Sequence, residues 1–381
     1  MGASLSQRPH VIANLQVLRG LAALAVVFFH TGYTFNGGVY TQFQAVSVFF
    51  VISGFIMTFI TRDGASQFLM QRLVRIVPLY WLCTLAPIVL LWLTGGTIWK
   101  DPSAENIAKS LLFVPYRDAF GDVVPQLGVG WTLNMEMYFY LIFALALVVS
   151  LRWGPLLACA ALVAVKLIPA NLGCTWLLCE FYARDDIDFL ILGVLSYYVW
   201  TAIEAHALAL RWALVPIAGL SIMAFVLWNA HPPFAAAVQP WFPFPVNYLM
   251  PLLLVTTVLL LNSAQIQWRW KIALMLGDAS YALYLTHTIV MEFIRVARNR
   301  VIGEQFTVLN PEKNAFAMAV MLIICSLIAF VVHYYVEVPM LRILRQAFVR
   351  RSSRSDPSTM PPGSGQAGSA GNTIVIPEVC S

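Results

Sequence analysis

The sequence predicts an all-α fold, a polytopic integral membrane helical bundle with about ten transmembrane helices. Three observations carry this. Hydrophobic residues make up 60% of the 381 positions and charged residues only 11%, where a soluble domain carries about 25% charged residues. Apolar stretches approaching the roughly 20 residues that span a bilayer recur along the chain. Twelve Trp and fourteen Tyr suit two interfacial aromatic belts. The formal net charge of +5 is modest, and no basic run is interleaved with aromatics as single-strand binding requires. The bilayer is therefore an expected partner and nucleic acid is not.

Taken in order, the spans are expected near residues 14–34, 45–61, 78–95, 131–151, 154–170, 187–204, 212–229, 244–261, 279–297 and 315–336. The polar start, Met1–His10, has no cleavable signal pattern, so the first span is expected to stay. Lys and Arg concentrate on one side: Arg8, Arg62, Arg72, Arg75, Arg152, Arg211, Arg269 and the cluster after Arg342. That bias places both termini in the cytoplasm, with the protein integral to the cell (inner) membrane. Arg295, Arg298 and Arg300 run against it. Either they face an acidic or phosphorylated ligand outside, or the ninth span is misplaced. The longest connection, Gly96 to Gly130, carries Pro102, Pro115 and Pro125 and reads as an outer lid or a re-entrant element. Residues 1–350 form one membrane domain. The Ser/Gly/Pro-rich stretch 351–381 cannot bury a core and is expected to be a disordered cytoplasmic tail.

Six cysteines are too few and scattered for a disulfide scaffold. Cys83, Cys159 and Cys325 read as small apolar residues in spans. Cys174 and Cys179 share a short loop and can pair if it faces an oxidising compartment. No zinc-type spacing exists, so no metal is expected.

Charged residues inside spans carry the chemistry. Each costs roughly 2.5–3.5 kcal/mol on insertion scales and so usually has a function. Arg19 and His30 lie eleven residues apart in the first span. At 100° per residue they share a face, about 16 Å apart along the axis. Arg72 and Arg75 are one turn apart at the start of the third span. They are either a phosphate clamp or an ordinary positive-inside anchor. Glu136 lies about a turn and a half into the fourth span, and its candidate partners are His30 and an outer arginine; alternatively the carboxylate simply suits a helix start. Ser280, Tyr284 and His287 fall at helical spacing in the ninth span, where Asp278 is placed to cap the helix. Asp186, with Asp185 and Asp188, can bind a sugar hydroxyl or a cation, or be a solvated helix N-terminus. His333 and Glu337 read as a local pair before Pro339.

Together these pieces resemble the membrane-bound acyltransferase 3 family, which includes exopolysaccharide and lipopolysaccharide O-acetyltransferases. The matching residues are Arg19 with His30, Ser47-Val-Phe-Phe-Val-Ile-Ser-Gly54-Phe, Arg72-x-x-Arg75-Ile-x-Pro78-x-Tyr80, Trp131-Thr-Leu-x-x-Glu136, Gly277-Asp-x-Ser-Tyr-x-Leu-Tyr-Leu-x-His287 and Glu337-x-Pro339. They run in the family's order over roughly residues 12–345. The opening around Arg19-Gly20 is most similar to the exopolysaccharide-production branch.

The resemblance implies an acyl-CoA-dependent O-acyltransferase that moves an acyl group, commonly acetyl from acetyl-CoA, to a hydroxyl of an envelope glycan or lipid-linked sugar. It implies His30 as the principal catalytic residue with Glu136 in the functional core, and Arg19, Arg72 and Arg75 as donor-binding residues. Ser280, Tyr284, His287 and Asp186 are candidate substrate contacts. The chain departs from larger relatives in lacking an appended esterase-like domain. Two mechanisms stay open: His30 as general base, which is preferred, or as a transient acyl carrier. Two rivals also stay open, a transporter of a small anionic or lipid-linked solute and a non-catalytic polysaccharide-export accessory.

Overall fold

The computed structural model describes residues 13–32, 44–62, 64, 67–94, 103–118, 121–230, 232–242, 245–301, 311–312 and 314–354. The expected tail, from residue 355 on, and the polar start lie outside these. Every expected span coincides with a helix. These are α1 (Ala13–His30), α2 (Ala45–Thr61), α3 (Phe68–Thr94), α5 (Trp131–Val149), α6 (Gly154–Asn171), α8 (Asp186–Ile203), α9 (Arg211–Ala230), α11 (Val246–Ser263), α13 (Ser280–Val301) and α14 (Ala315–Val332). Shorter helices join them: α4 (Ala104–Leu111), α7 (Leu177–Tyr182), α10 (Pro232–Val238) and α12 (Lys271–Asp278), and α15 (Val338–Arg354) follows the last span. Seven segments among the described residues are long and apolar enough to cross a membrane unaided, and α2 and the first part of α6 are shorter apolar helices. The protein is a polytopic helical membrane protein.

Helix packing uses small residues where backbones must approach, as in other membrane bundles. A β-carbon at Gly54 of α2 would collide with the Leu190 carbonyl of α8, and one at Gly193 of α8 with the Val51 carbonyl of α2. Likewise a β-carbon at Gly277 of α12 would strike the Gln16 carbonyl of α1. This second crossing brings Gln16 Nε2 to Asp278 Oδ1. Asp278 is therefore the last residue of α12 and bonds across to α1, rather than opening α13 as its cap. Helices α1 and α13 run side by side in the same direction: their starts meet through Gln16 and Asp278, and His287 lies beside His30.

The long connection corrects the expected depth of the fourth span. Helix α3 begins ten residues earlier than expected, so Arg72 and Arg75 lie in its first turns. Tyr80, twelve residues and about 18 Å along α3, donates to the Ser110 carbonyl at 3.1 Å, and Trp81 Nε1 donates to that of Leu111 at 2.8 Å. Tyr80 also abuts Gly130, just before α5. From there α5 runs back along the first half of α3, with Tyr140 and Phe143 reaching Phe68. The described part of the connection packs against the middle of α3, and α5 starts level with it.

Cys83, Cys159 and Cys325 are buried and free, and Cys174 is bonded to Cys179. His333 Nδ1 lies 2.8 Å from Glu337 Oε2, both buried, within a single π-turn between α14 and α15. Arg295 is held by Glu292.

Candidate active site

Because α5 begins deep, its fifth and sixth residues meet the first turns of α3. A cavity of about 110 Å³ opens between α1, α2, α3, α5 and α13. Arg19, Arg72, Arg75, Glu136, Ser280 and Tyr284 all line it. Six of the nine candidate residues are thus brought to one place. Arg19 is 8% exposed and Arg72 9%, which removes the surface-anchor reading of Arg72. Gln16 Oε1 accepts from Arg19 Nη1 at 3.2 Å, so the bond that joins α1 to α12 also steers this guanidinium.

Glu136 does not meet His30 or an outer arginine. Its neighbours in the cavity lining are Ser53 and Tyr140, whose hydroxyls lie 3.2 Å apart, together with Arg75 and Arg19. The reason is the connection before α5, which lowers Glu136 to the level of Arg75. Three guanidiniums and one carboxylate are the charged side chains that line the cavity. Ser280 Oγ is fully buried in this lining and has no hydrogen-bond partner among the described residues. A buried hydroxyl of that kind costs roughly 1–3 kcal/mol unless something engages it.

The two histidines form a second cluster, beyond the cavity along α1 and α13. His30 Nδ1 lies 3.3 Å from His287 Nε2, and the ring centroids are 4.9 Å apart. His30 is exposed at the end of α1, while His287 is fully buried. Tyr284 touches both clusters. It lines the cavity, and its ring centroid is 6.0 Å from that of His287. Its hydroxyl is 2.9 Å from Thr132 Oγ1 and 3.1 Å from the Val129 carbonyl.

Asp186 is not brought to either cluster. Arg184 binds its carboxylate at 2.8 Å and lays its guanidinium 4.5 Å over Trp131. Lys166 bridges Asp185 and Asp188, at 2.6 Å to each. The three carboxylates at the start of α8 are thus each paired with a cation. Among the described residues no group of three or more His, Cys, Asp or Glu is placed to hold a metal ion.

Tyr140 and Ser53 were not among the predicted site residues. Tyr140 had a signal, since it stands one turn after Glu136. The pairing of the two histidines had none.

Residues 12–332 match the family model described as an acyltransferase domain. The chain belongs to this acyltransferase 3 family. It is 31% identical over 278 residues to the exopolysaccharide production protein ExoZ of Rhizobium meliloti, covering 70% of this chain and 81% of that one. It is 26% identical to the peptidoglycan O-acetyltransferase OatA of Listeria monocytogenes, over 72% of this chain and 49% of OatA. It is 26% identical to the acyltransferase MdmB of Streptomyces mycarofaciens, over 79% of this chain and 81% of MdmB. No solved structure matches the chain. The protein is therefore a membrane acyltransferase, and the transporter and export-accessory readings are set aside.

Proposed function

We propose that this acyltransferase carries an acyl group, acetyl in the first instance, from cytoplasmic acyl-CoA to a hydroxyl of an envelope or exported glycan or of a lipid-linked sugar. The observation that carries the reading is the cavity lined by Arg19, Arg72 and Arg75, with the buried Ser280 hydroxyl that has no hydrogen-bond partner among the described residues. Arginines present planar forks that suit phosphate, and Ser280 Oγ adds a donor. About 110 Å³ holds an anionic group and some water, not a nucleotide, so the adenosine end stays outside. The slender pantetheine arm then passes Tyr284 and Thr132 to reach His30, over a distance comparable with the ~16 Å between Arg19 and His30.

At His30 the sugar hydroxyl attacks the thioester carbonyl as Nε2 takes its proton. The carbon–sulfur bond breaks, and the imidazolium returns the proton to the departing thiolate, giving free CoA. General-base action by a positioned histidine contributes about 10²–10⁴-fold. Glu136 holds Arg75 and Arg19 in the donor cavity and takes no proton from the acceptor. The protein lies in the inner membrane with both termini cytoplasmic, which puts the donor on the arginine side. The relatives named for exopolysaccharide production and for peptidoglycan O-acetylation support a glycan acceptor.

The test uses purified full-length protein in lipid nanodiscs with acetyl-CoA and the cell's own envelope glycan. Thiol release together with an acetyl-sized mass increase on the glycan is the expected result. Thiol release that is equal with and without glycan, and no mass increase, refutes it. An acylated His30 trapped with donor alone shows the acyl carrier route instead of the general base.

A further inference from the structure

His287 comes from a helix far along the chain, yet its imidazole is the only side chain hydrogen-bonded to His30 among the described residues. Its own proton is located by a backbone group. His287 Nδ1 lies 3.1 Å from the Leu283 carbonyl, which accepts and cannot donate. Nδ1 therefore carries the hydrogen, and Nε2 presents a lone pair to His30. His30 Nδ1 faces that lone pair and, at 2.9 Å, the Val26 carbonyl. Both neighbours of His30 Nδ1 are acceptors. The His30 proton is thereby held on Nδ1, and the lone pair is left on Nε2.

We propose that His287 is a positioning residue for His30, one that holds it in the tautomer with a free Nε2 lone pair and shares its positive charge once Nε2 is protonated. Serine hydrolases give this task to a carboxylate; here a neutral second imidazole performs it. The neutral partner suits its place, because a buried carboxylate would need further donors to offset its desolvation. The Val26 carbonyl shares in fixing this tautomer through the shorter bond, while His287, from a different helix, adds the acceptor that can take up charge and holds α1 beside α13 at the reacting end. The role rests on the acyl-transfer reading above; the ring geometry does not.

The experiment takes full-length protein with ¹⁵N-labelled histidine in nanodiscs and measures the ring nitrogen shifts of His30, assigned with His30→Ala. Wild type should show His30 protonated at Nδ1. Kinetics with acetyl-CoA and glycan then compare His287→Leu with His287→Gln, whose Oε1 can stand in for the Nε2 acceptor. His287→Leu should lower kcat by about 10²-fold with the donor KM unchanged, and His287→Gln should recover most of that loss. Rates are normalised to monodisperse, cooperatively unfolding protein, so a misfolded variant does not count as inactive. The proposal is overturned if His30 carries its proton on Nε2, if His287→Leu keeps its kcat, or if folded His287→Gln is as slow as His287→Leu. If His30→Ala is inactive while His287→Leu is fully active, the acyl-transfer reading stands and the positioning role falls. If His30→Ala is itself active, the catalytic reading falls, and the nitrogen shifts still report on the pairing.

Discussion

Helix α1 separates two cavities that differ in size and in chemistry. On one face Arg19 lines the 110 Å³ arginine-bearing cavity, and His30 pairs with His287 beyond it. On the far side Leu18, Leu21, Ala22, Ala25 and Phe28 line a chamber of about 340 Å³ against α2, α9 and α11. The larger space is nearly all apolar. Its Asn229 is already committed, accepting from the Gln44 backbone N–H at 2.8 Å and donating to the Phe225 carbonyl at 2.7 Å. The smaller space gathers buried arginines, a carboxylate and an unpartnered hydroxyl. Each buried ionic group in a membrane interior is costly, and that is the ground for proposing the polar cavity as the donor site.

The sharpest way to break this contrast is at His30. His30→Ala should cut acetyl-CoA-dependent thiol release by about 10²–10⁴-fold; a rate close to wild type would remove the imidazole from the chemistry. Next in size comes Glu136→Leu. Removing one partner from a buried charge group costs about 3–5 kcal/mol, so the thermal unfolding midpoint in nanodiscs should fall clearly, and Glu136→Gln should lie between it and wild type. A midpoint left in place would mean that the guanidiniums do not depend on this carboxylate. Arg72→Lys keeps the charge but loses the fork. Charge-assisted hydrogen bonds are worth about 1.5–3 kcal/mol, so titration of acetyl-CoA should show KM raised roughly ten- to a hundredfold, with a smaller change in kcat. The smallest effect is expected across the helix. Ala22→Leu partly fills the apolar chamber, and cavity filling commonly gains about 0.5–2 kcal/mol. Its unfolding midpoint should rise or hold while turnover stays unchanged; a large loss of turnover would make the chamber part of the catalytic machinery.

Much of the site was legible in residue type and spacing. Arg19, Arg72, Arg75, Glu136, Ser280 and Tyr284 were each singled out as polar groups in apolar helices, and they share one cavity. Helical periodicity put Arg19 and His30 on one face of α1; Arg19 lines the cavity and His30 meets His287 beyond it. The partners were not legible. Glu136 looked like a neighbour of His30 because its helix seemed to start at the outer surface. Asp186 looked like a ligand because its pairing with Arg184, and the bridge that Lys166 makes between Asp185 and Asp188, are revealed only by packing.

The amino-acid sequence by itself determined the membrane class, roughly where the apolar helices fall and which residues share a helix face. Those follow from hydropathy and a 3.6-residue period, which are local properties. Tertiary structure alone decided that α5 begins halfway along α3 and that two imidazoles 257 residues apart touch. Such contacts depend on where the connection packs against the bundle and on close crossings at Gly54, Gly193 and Gly277. They arise from how surfaces fit together, and no local pattern encodes that.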